Sequence, residues 1–518
     1  MNNLKIERII VVVLLWGTLW MSTCATPLFA KEPLYGGTLR ISDIYDGVMI
    51  GYPPKIFDRG VNTTRQVAPA IEALLRMDKT GKPIPWLATE FKVNVAAKTL
   101  TFTLRKGVKF HDGTDFNAEA VKWNLDQCVS TRQVGTDKFK SVDIIDDYTV
   151  RINLKEWDNT ILSNLTVATG MMISPTAYKK NGEDWCAKNP VGTGPFQFVS
   201  WEKDVRTVYK KFPSYWQKGK PYLDGVIWTP ILDHMTRQFS FRRGELDLIT
   251  DVDRKDVAGL EKDGYVVHRE KMGAGATGMV PDSANPNSPF ANLKVRQAVQ
   301  HAIDTKAIVE TILYGEAEAV NQYSYKGHWG YNPSVVGYPY NPAKAKQLLA
   351  EAGYPNGFKT KILYWTPQYD HFFTVVQGYL KAVGIDAQLD PAQRGRYNQV
   401  ALDGGKWEGL IMSTGSATPD TALALIERYA GGGKRFTQMF LPDDYMKAIQ
   451  NAITAPDFEA KQKWVHEVQK LMIDKYCLMI PIASQNGNTV NKTYVHNHGF
   501  HATPNTVWWT PEEAWMEK

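Results

Sequence analysis

"LTFTLRKGVKFHDGTDFNAEAVKWNLDQ" (Leu100–Gln127) crowds Lys109, His111, Asp112 and Asp115 around one short turn, the composition of a catalytic cluster. Its spacing argues for a scaffold instead. Leu100, Phe102 and Leu104 alternate, as the inward face of a strand does. Asp112-Gly113 is a turn pair, because glycine tolerates positive φ and aspartate bonds the backbone that follows it. Asn117 then stands as N-cap of a helix whose apolar face is Val121, Leu125 and Cys128, with Glu119 near its positive end. Each polar residue has a local structural task. The stretch reads as strand, turn and helix.

Working outward, Phe91, Val93 and Val95 alternate in the same way and make a hairpin with the strand from Leu100. "VDIIDDYTVRINL" (Val142–Leu154) repeats the device, with Asp146-Asp147 at its turn, and "GGTLRIS" (Gly36–Ser42) reads as an earlier strand. The second half changes character. "LKVRQAVQHAIDTKAIVETIL" (Leu293–Leu313) sets Val295, Ala298, Val299, Ala302 and Ile303 at amphipathic helix spacing, and Asp304 caps a second helix. In "YNPAKAKQLLAEAGYPNGF" (Tyr340–Phe358), Asn341 is the cap, Pro342 the first helical residue and Gly353 the stop. Strand "KTKILYW", helix "HFFTVVQGYLKAVG" and strand "IDAQLD" follow, an α/β alternation. "DFEAKQKWVHEVQKLMIDKY" (Asp457–Tyr476) reads as one long helix before the apolar "CLMIPIAS". The whole is α/β with an inserted β-rich portion.

The chain has 518 residues, 43% hydrophobic and 22% charged, which is globular composition with room for more than one domain. Lys5 and Arg8 precede the apolar run Ile9–Met21, and small residues lead to Ala30. A basic start, a short apolar stretch and a small residue at the cut predict a secretory signal peptide over residues 1–30. Cleavage before a lipid-modified Cys24 is the rival reading. Without Lys5, Glu7 and Arg8 the net charge goes from +6 to +5, too mild and too scattered for nucleic acid. Cut after Ala30, the chain keeps Cys128, Cys186 and Cys477, an odd count that allows at most one internal disulfide.

The remaining constellations are weak as catalytic sites. The glycines of "VGTGPF" (Val191–Phe196) run into Pro195 and a strand, where a phosphate loop needs them to open a helix. His496 and His498 share a strand face in "VHNHGFH", with His501 near, and could ligate a metal; solvated histidines are the alternative. No Gly-x-Ser-x-Gly elbow or His-Glu-x-x-His helix occurs. Aromatics are abundant, with 16 Trp, 24 Tyr and 20 Phe. Tyr45, Trp329, Tyr331, Trp365 and Tyr397 stand in polar, loop-like contexts suited to a cleft that stacks on an organic ligand.

"YGGTLRIS", the opening stretch, "VGTGPFQFVSW", "YWQKGKPYLDGVIW", "LKVRQAVQHAIDTKAIV", "YNPAKAKQLLAEAGYPNGF" and "YLKAVGIDAQL" occur in that order. Together they resemble the family 5 extracytoplasmic solute-binding proteins, the peptide/nickel-binding family of ABC transporters. The resemblance implies a two-lobed periplasmic-binding-protein fold of type II with an additional β-rich domain. Lobe I would comprise 31–65, 191–270 and 489–518, the extra domain 66–190, and lobe II 271–488. It implies a periplasmic, monomeric protein without cofactor or catalysis, capturing a small organic or peptide-like solute for a membrane permease and ATPase. Peptide binders of the family hold the ligand's amino group with an aspartate in the stretch matching "MSTGSATPD"; here Thr414, Gly415 and Ser416 stand there, and Asp420 is placed to cap a helix. No arginine occurs in "LYWTPQYD", where some dipeptide binders hold the carboxylate, so ordinary zwitterionic peptides are not the expected ligand. Arg394 and Arg396 are candidate anchors for an anion, or else helix-surface residues. The expected ligand set is Tyr45, Trp329, Tyr331, Trp365, Arg394, Arg396, Tyr397, Thr414 and Ser416. A secreted hydrolase with an unrecognised Ser/His/Asp site, or a nickel-type metal-chelate binder, are the competing functions.

Overall fold

A computed structural model of the chain describes residues 31–56, 61–271, 275–415, 420–431, 434–500 and 508–517. The strand at the centre of the opening stretch, Thr99–Leu104, buries Leu100, Phe102 and Leu104. The Asn117 side chain accepts from the Ala120 N–H at 3.0 Å and starts the helix Ala118–Ser130. Lys109 and Asp115 form an exposed pair across the turn. The His111 Nε2–H donates to the Gly194 carbonyl at 2.9 Å, and burial lowers its pKa to about 4, so the ring stays neutral. These groups hold a turn together.

Four antiparallel strands lie side by side in the order Ala88–Asn94, Thr99–Leu104, Thr149–Leu154 and Phe139–Asp146. Their inner face closes on one apolar core with Phe110, Phe116, Leu125 and Met172. A second sheet has 12 strands, and one of them organises it. Ile480–Asn491 pairs through its first residues with Thr277–Pro281 and Ala317–Ala319, and through its last with Val266–Lys271 and Leu248–Ile249. From Leu248–Ile249 the sheet continues through Thr38–Asp43 and Gly225–Pro230; from Thr277–Pro281 it continues through Leu410–Ser413, Phe358–Trp365 and Ile385–Ala392. Apolar cores form on both sides of this strand. One gathers Leu39, Ile41, Trp228 and Trp509; the other gathers Met279, Val295, Phe373, Ile449 and Ile480.

Helix Phe458–Lys470 does not run on to Tyr476 as its spacing predicts. It widens into a π-turn over Leu471–Lys475, which buries Leu471, Met472 and Ile473 together. Cys128, Cys186 and Cys477 are buried free thiols, whereas Cys24 and the predicted leader lie outside the described residues.

Beside the long strand lies a largely buried polar network. Arg65, 1% exposed, reaches Asp43 at 3.4 Å, Asp251 at 3.1 Å and Glu270 at 3.6 Å. Thr250 donates to Asp43 and Thr489 to Glu270, while Arg237 donates to the Asp251 carbonyl. Three carboxyls around so few cations are hard to ionise together. Burial raises the Glu270 pKa from 4.5 to about 8 against the opposing pull of Arg65, and Asp43 is raised too. The unfolded chain releases the Glu270 proton near the ordinary value and the folded protein holds it until about pH 8. Its contribution to stability is therefore full below pH 4.5, falls as pH rises between those values, and is lost above the upper one. The melting temperature should drop from about pH 5 to about pH 8, and Glu270→Gln should flatten most of that drop. An equally steep drop in the variant would assign it to other groups.

Candidate ligand cleft

Strand Phe358–Trp365 runs parallel to Ile385–Ala392 and to Leu410–Ser413, with Trp365 opposite Ala392 and Leu363 opposite Ile411. Parallel strands release their carboxyl ends at one edge, which is where open α/β sheets bind ligands. Trp365 ends the first strand, Arg394 opens the helix Arg394–Ala401 after the second, and Thr414 follows the third. Topology thus brings together residues that are far apart in sequence.

The Arg394 guanidinium carbon lies 3.6 Å from the centre of the Trp365 ring, a cation–π stack. Trp365 is half-buried, with Tyr369 at 6.0 Å and Tyr397 at 6.4 Å between ring centres. Tyr397 is buried and donates its hydroxyl to the Met412 carbonyl at 2.8 Å, while Ser413 and Tyr429 bond hydroxyl to hydroxyl beneath it. Burial holds the Tyr369 and Tyr397 phenols above the ordinary range, so both remain neutral. Arg254, from the helix Arg254–Lys262 on the other side of the long strand, donates to Gln485 at 2.5 Å and lies in the electrostatic reach of Tyr369. The arrangement is an aromatic shelf flanked by guanidinium groups. Among the described residues it presents no nucleophile held by a base.

Residues 82–436 match the bacterial extracellular solute-binding proteins, family 5 (middle). The chain belongs to this family. It is similar to the glutathione-binding protein GsiB of Pectobacterium atrosepticum, 32% identical over 443 residues that cover 80% of this chain and 83% of the relative. Its similarity to GsiB of Escherichia coli O157:H7 is 35% over 353 residues, covering 66% and 67%. Among solved structures, the periplasmic binding protein DppA of Helicobacter pylori, in complex with peptide STSA, is 25% identical. Its TM-score is 0.73, over 94% of this chain and 99% of that one. HbpA2 of Haemophilus parasuis is 23% identical, with a TM-score of 0.82 over 93% and 100%. The fold is that of the type II periplasmic binding proteins, with the four-stranded sheet as its additional β-rich part.

Within this family 5 protein the expected ligand residues do not all meet. Trp365, Arg394 and Tyr397 meet as described, and Thr414 follows the strand Leu410–Ser413 beside them. Trp329 does not join them. It is 5% exposed, packs on Phe458 at 5.1 Å and lies under the Lys461 ammonium, so the ring is packed into the core. Tyr331 lines a separate cavity of about 330 Å³ with Asn321, Val336 and Tyr338. Arg396 is exposed and commits both terminal nitrogens to Asp390 at 2.7 Å, so the helix-surface alternative describes it. Tyr45 is half-buried after strand Thr38–Asp43, its N–H bonded to Asp43. Ser416 lies outside the described residues. Asp420 caps the helix Thr421–Tyr429 by accepting from the Leu423 N–H, and also binds Lys461 and Ser163.

His496 stacks on Trp515 at 4.2 Å and pairs with Glu517, whereas His498 meets His268 edge-on. His501 lies outside the described residues, and among those described no three His, Cys, Asp or Glu groups gather as a metal site. Sequence reasoning singled out neither Arg254 and Gln485, which bond at 2.5 Å, nor Arg428 and Arg435, which stand in electrostatic reach of Tyr397. Arg428 ends a helix and Arg435 follows a glycine run, both ordinary surface settings; only the third dimension marks them.

Proposed function

We propose that this family 5 protein is the extracytoplasmic binding subunit of an ABC importer, capturing a small peptide-like solute between two lobes and delivering it to a membrane permease. Residues 1–30 would direct export to the periplasm. Lobe I would comprise 31–65, 191–270 and 489–518, and lobe II 271–488. The observation that carries the reading is the Trp365–Arg394 shelf at the carboxyl ends of three parallel strands, facing Arg254 from the other half of the sheet. Among the described residues such a shelf offers an apolar face and a cation but no group to attack a bond, which suits capture without turnover. The names of the relatives make glutathione the first ligand to test, together with ordinary di- and tripeptides.

A thermal-shift screen followed by titration calorimetry tests this. A ligand at about 100 times its dissociation constant should stabilise the fold by about 2.7 kcal/mol. Trp365→Ala should weaken binding by about 1–3 kcal/mol, as for other aromatic anchors. The free protein's melting temperature should barely move, because the ring is half-buried at the margin of the core. A loss of about 3–5 kcal/mol in stability with unchanged affinity would instead make Trp365 a core residue.

A further inference from the structure

Four arginines border the shelf, and none of them has an ion-pair partner among the described residues. Arg254 uses one nitrogen on Gln485 and leaves a buried Nε without an acceptor; Arg428 also leaves a buried Nε without one. Arg394 is exposed and lies on Trp365, whereas Arg254, Arg428 and Arg435 are half-buried, the last one residue before the core residue Phe436. Two phenols link them. Tyr369 stands in the field of Arg254 and Arg394, whereas Arg394, Arg428 and Arg435 gather at Tyr397.

The carboxylates within electrostatic reach are engaged or exposed. Around Arg254, Asp253 caps its helix, Asp251 pairs with Arg65 and Glu316 with Arg269. Burial lowers the Arg435 pKa and Arg428 beside it lowers it further, while the carboxylate that opposes them, Asp403, is exposed. A guanidinium withdrawn from water without a counter-ion is costly, and it costs more beside a second one. Such a cost is retained where an incoming anion offsets it. One orphaned Nε belongs to the arginine beside Tyr369 and the other to an arginine beside Tyr397, which implies two anion positions.

We propose that the cleft selects a solute with two separate carboxylates, one gripped by Arg254 and Arg394 beside Tyr369, the other by Arg428 and Arg435 beside Tyr397. This rests on the peptide-capture reading above and gives it a substrate class, small peptides with a second acidic group. Guanidinium forks bind carboxylates in a bidentate manner, so each position reads geometry as well as charge.

Titration calorimetry on the purified protein tests it with reduced glutathione, which carries two carboxylates, its glycine ethyl ester, which carries one, and trialanine amide, which carries none. Each carboxylate removed should weaken binding about ten- to hundredfold, the range for hydrogen bonds to charged groups. In one of the two variants Arg254→Gln and Arg428→Gln, the one whose position holds the glycine carboxylate, the preference for glutathione over its ester should largely disappear, and the matching lysine variant should keep part of it; a preference kept in both variants overturns the inference. The unliganded Arg428→Gln protein should melt no lower than wild type, because a desolvated like charge has been relieved. Equal wild-type affinity for glutathione and its ester overturns the two-carboxylate inference and leaves peptide capture standing. Failure of all three probes to bind overturns both. A lowered melting temperature with equal loss for every probe makes Arg428 structural and overturns the inference.

Discussion

Arg65→Ala should destabilise the protein by about 3–5 kcal/mol, the range found when one member of a buried ion cluster is removed. The loss comes less from missing attraction than from what stays behind. Asp43, Asp251 and Glu270 would face one another with Arg237 as the nearest remaining cation. Some of the effect is packing, because the guanidinium also lies 5.8 Å from the centre of the Phe500 ring. Urea unfolding should show a lower midpoint at unchanged slope. Above about pH 8, where Glu270 would otherwise be ionised, adding Glu270→Gln should recover part of the loss, and the double-mutant cycle measures that coupling. Arg65→Lys should rescue poorly, as one ammonium cannot reach three carboxyls from three chain segments. A loss under about 1 kcal/mol would show the network to be an ordinary surface-like set of pairs.

Asp420→Ala should cost a similar amount, about 3–5 kcal/mol, by stranding Lys461 in the interior. Lys461 is 5% exposed and Asp420 1%, with 2.5 Å between ammonium and carboxylate. Loss of the N-cap accounts for about 1 kcal/mol of related cost. Asp420→Asn separates the two contributions, because it can still cap the helix Thr421–Tyr429 but cannot neutralise Lys461. The same residue separates structure from binding. If Asp420 held a ligand's amino group, the asparagine variant would keep its melting temperature and lose affinity. The structure predicts the reverse.

What could be read from the sequence was local. The Asp112-Gly113 turn, the Asn117 cap and the Asp420 cap follow from residues within three or four positions, and the structure has all three. Trp365 at the end of a strand was legible because alternation fixes where a strand stops. Trp329 misled, because "HWGYNP" looks solvated until Phe458 and Lys461, from a helix over a hundred residues later, close over the ring. Arg396 misled for a shorter-range reason, its partner Asp390 lying across the strand-to-helix turn. The Arg65 network and the arginines around Tyr397 had no signal, since their members come from segments that only the sheet topology brings together. The long strand was half legible. Its apolar start was evident, but "QNGNTVN" has little strand propensity and extends only because Val266–Lys271 supplies a complete ladder.

That strand also sets an order of assembly. Thr277–Pro281 on one side and Leu248–Ile249 on the other are both made long before Ile480–Asn491, yet each needs it as a neighbour. Until it arrives, both half-sheets carry a raw edge that any other extended chain could occupy. A chain built this way gains little from folding as it emerges from the ribosome and risks wrong pairing if it tries. Its architecture favours staying unfolded until synthesis has passed the strand that joins the two half-sheets.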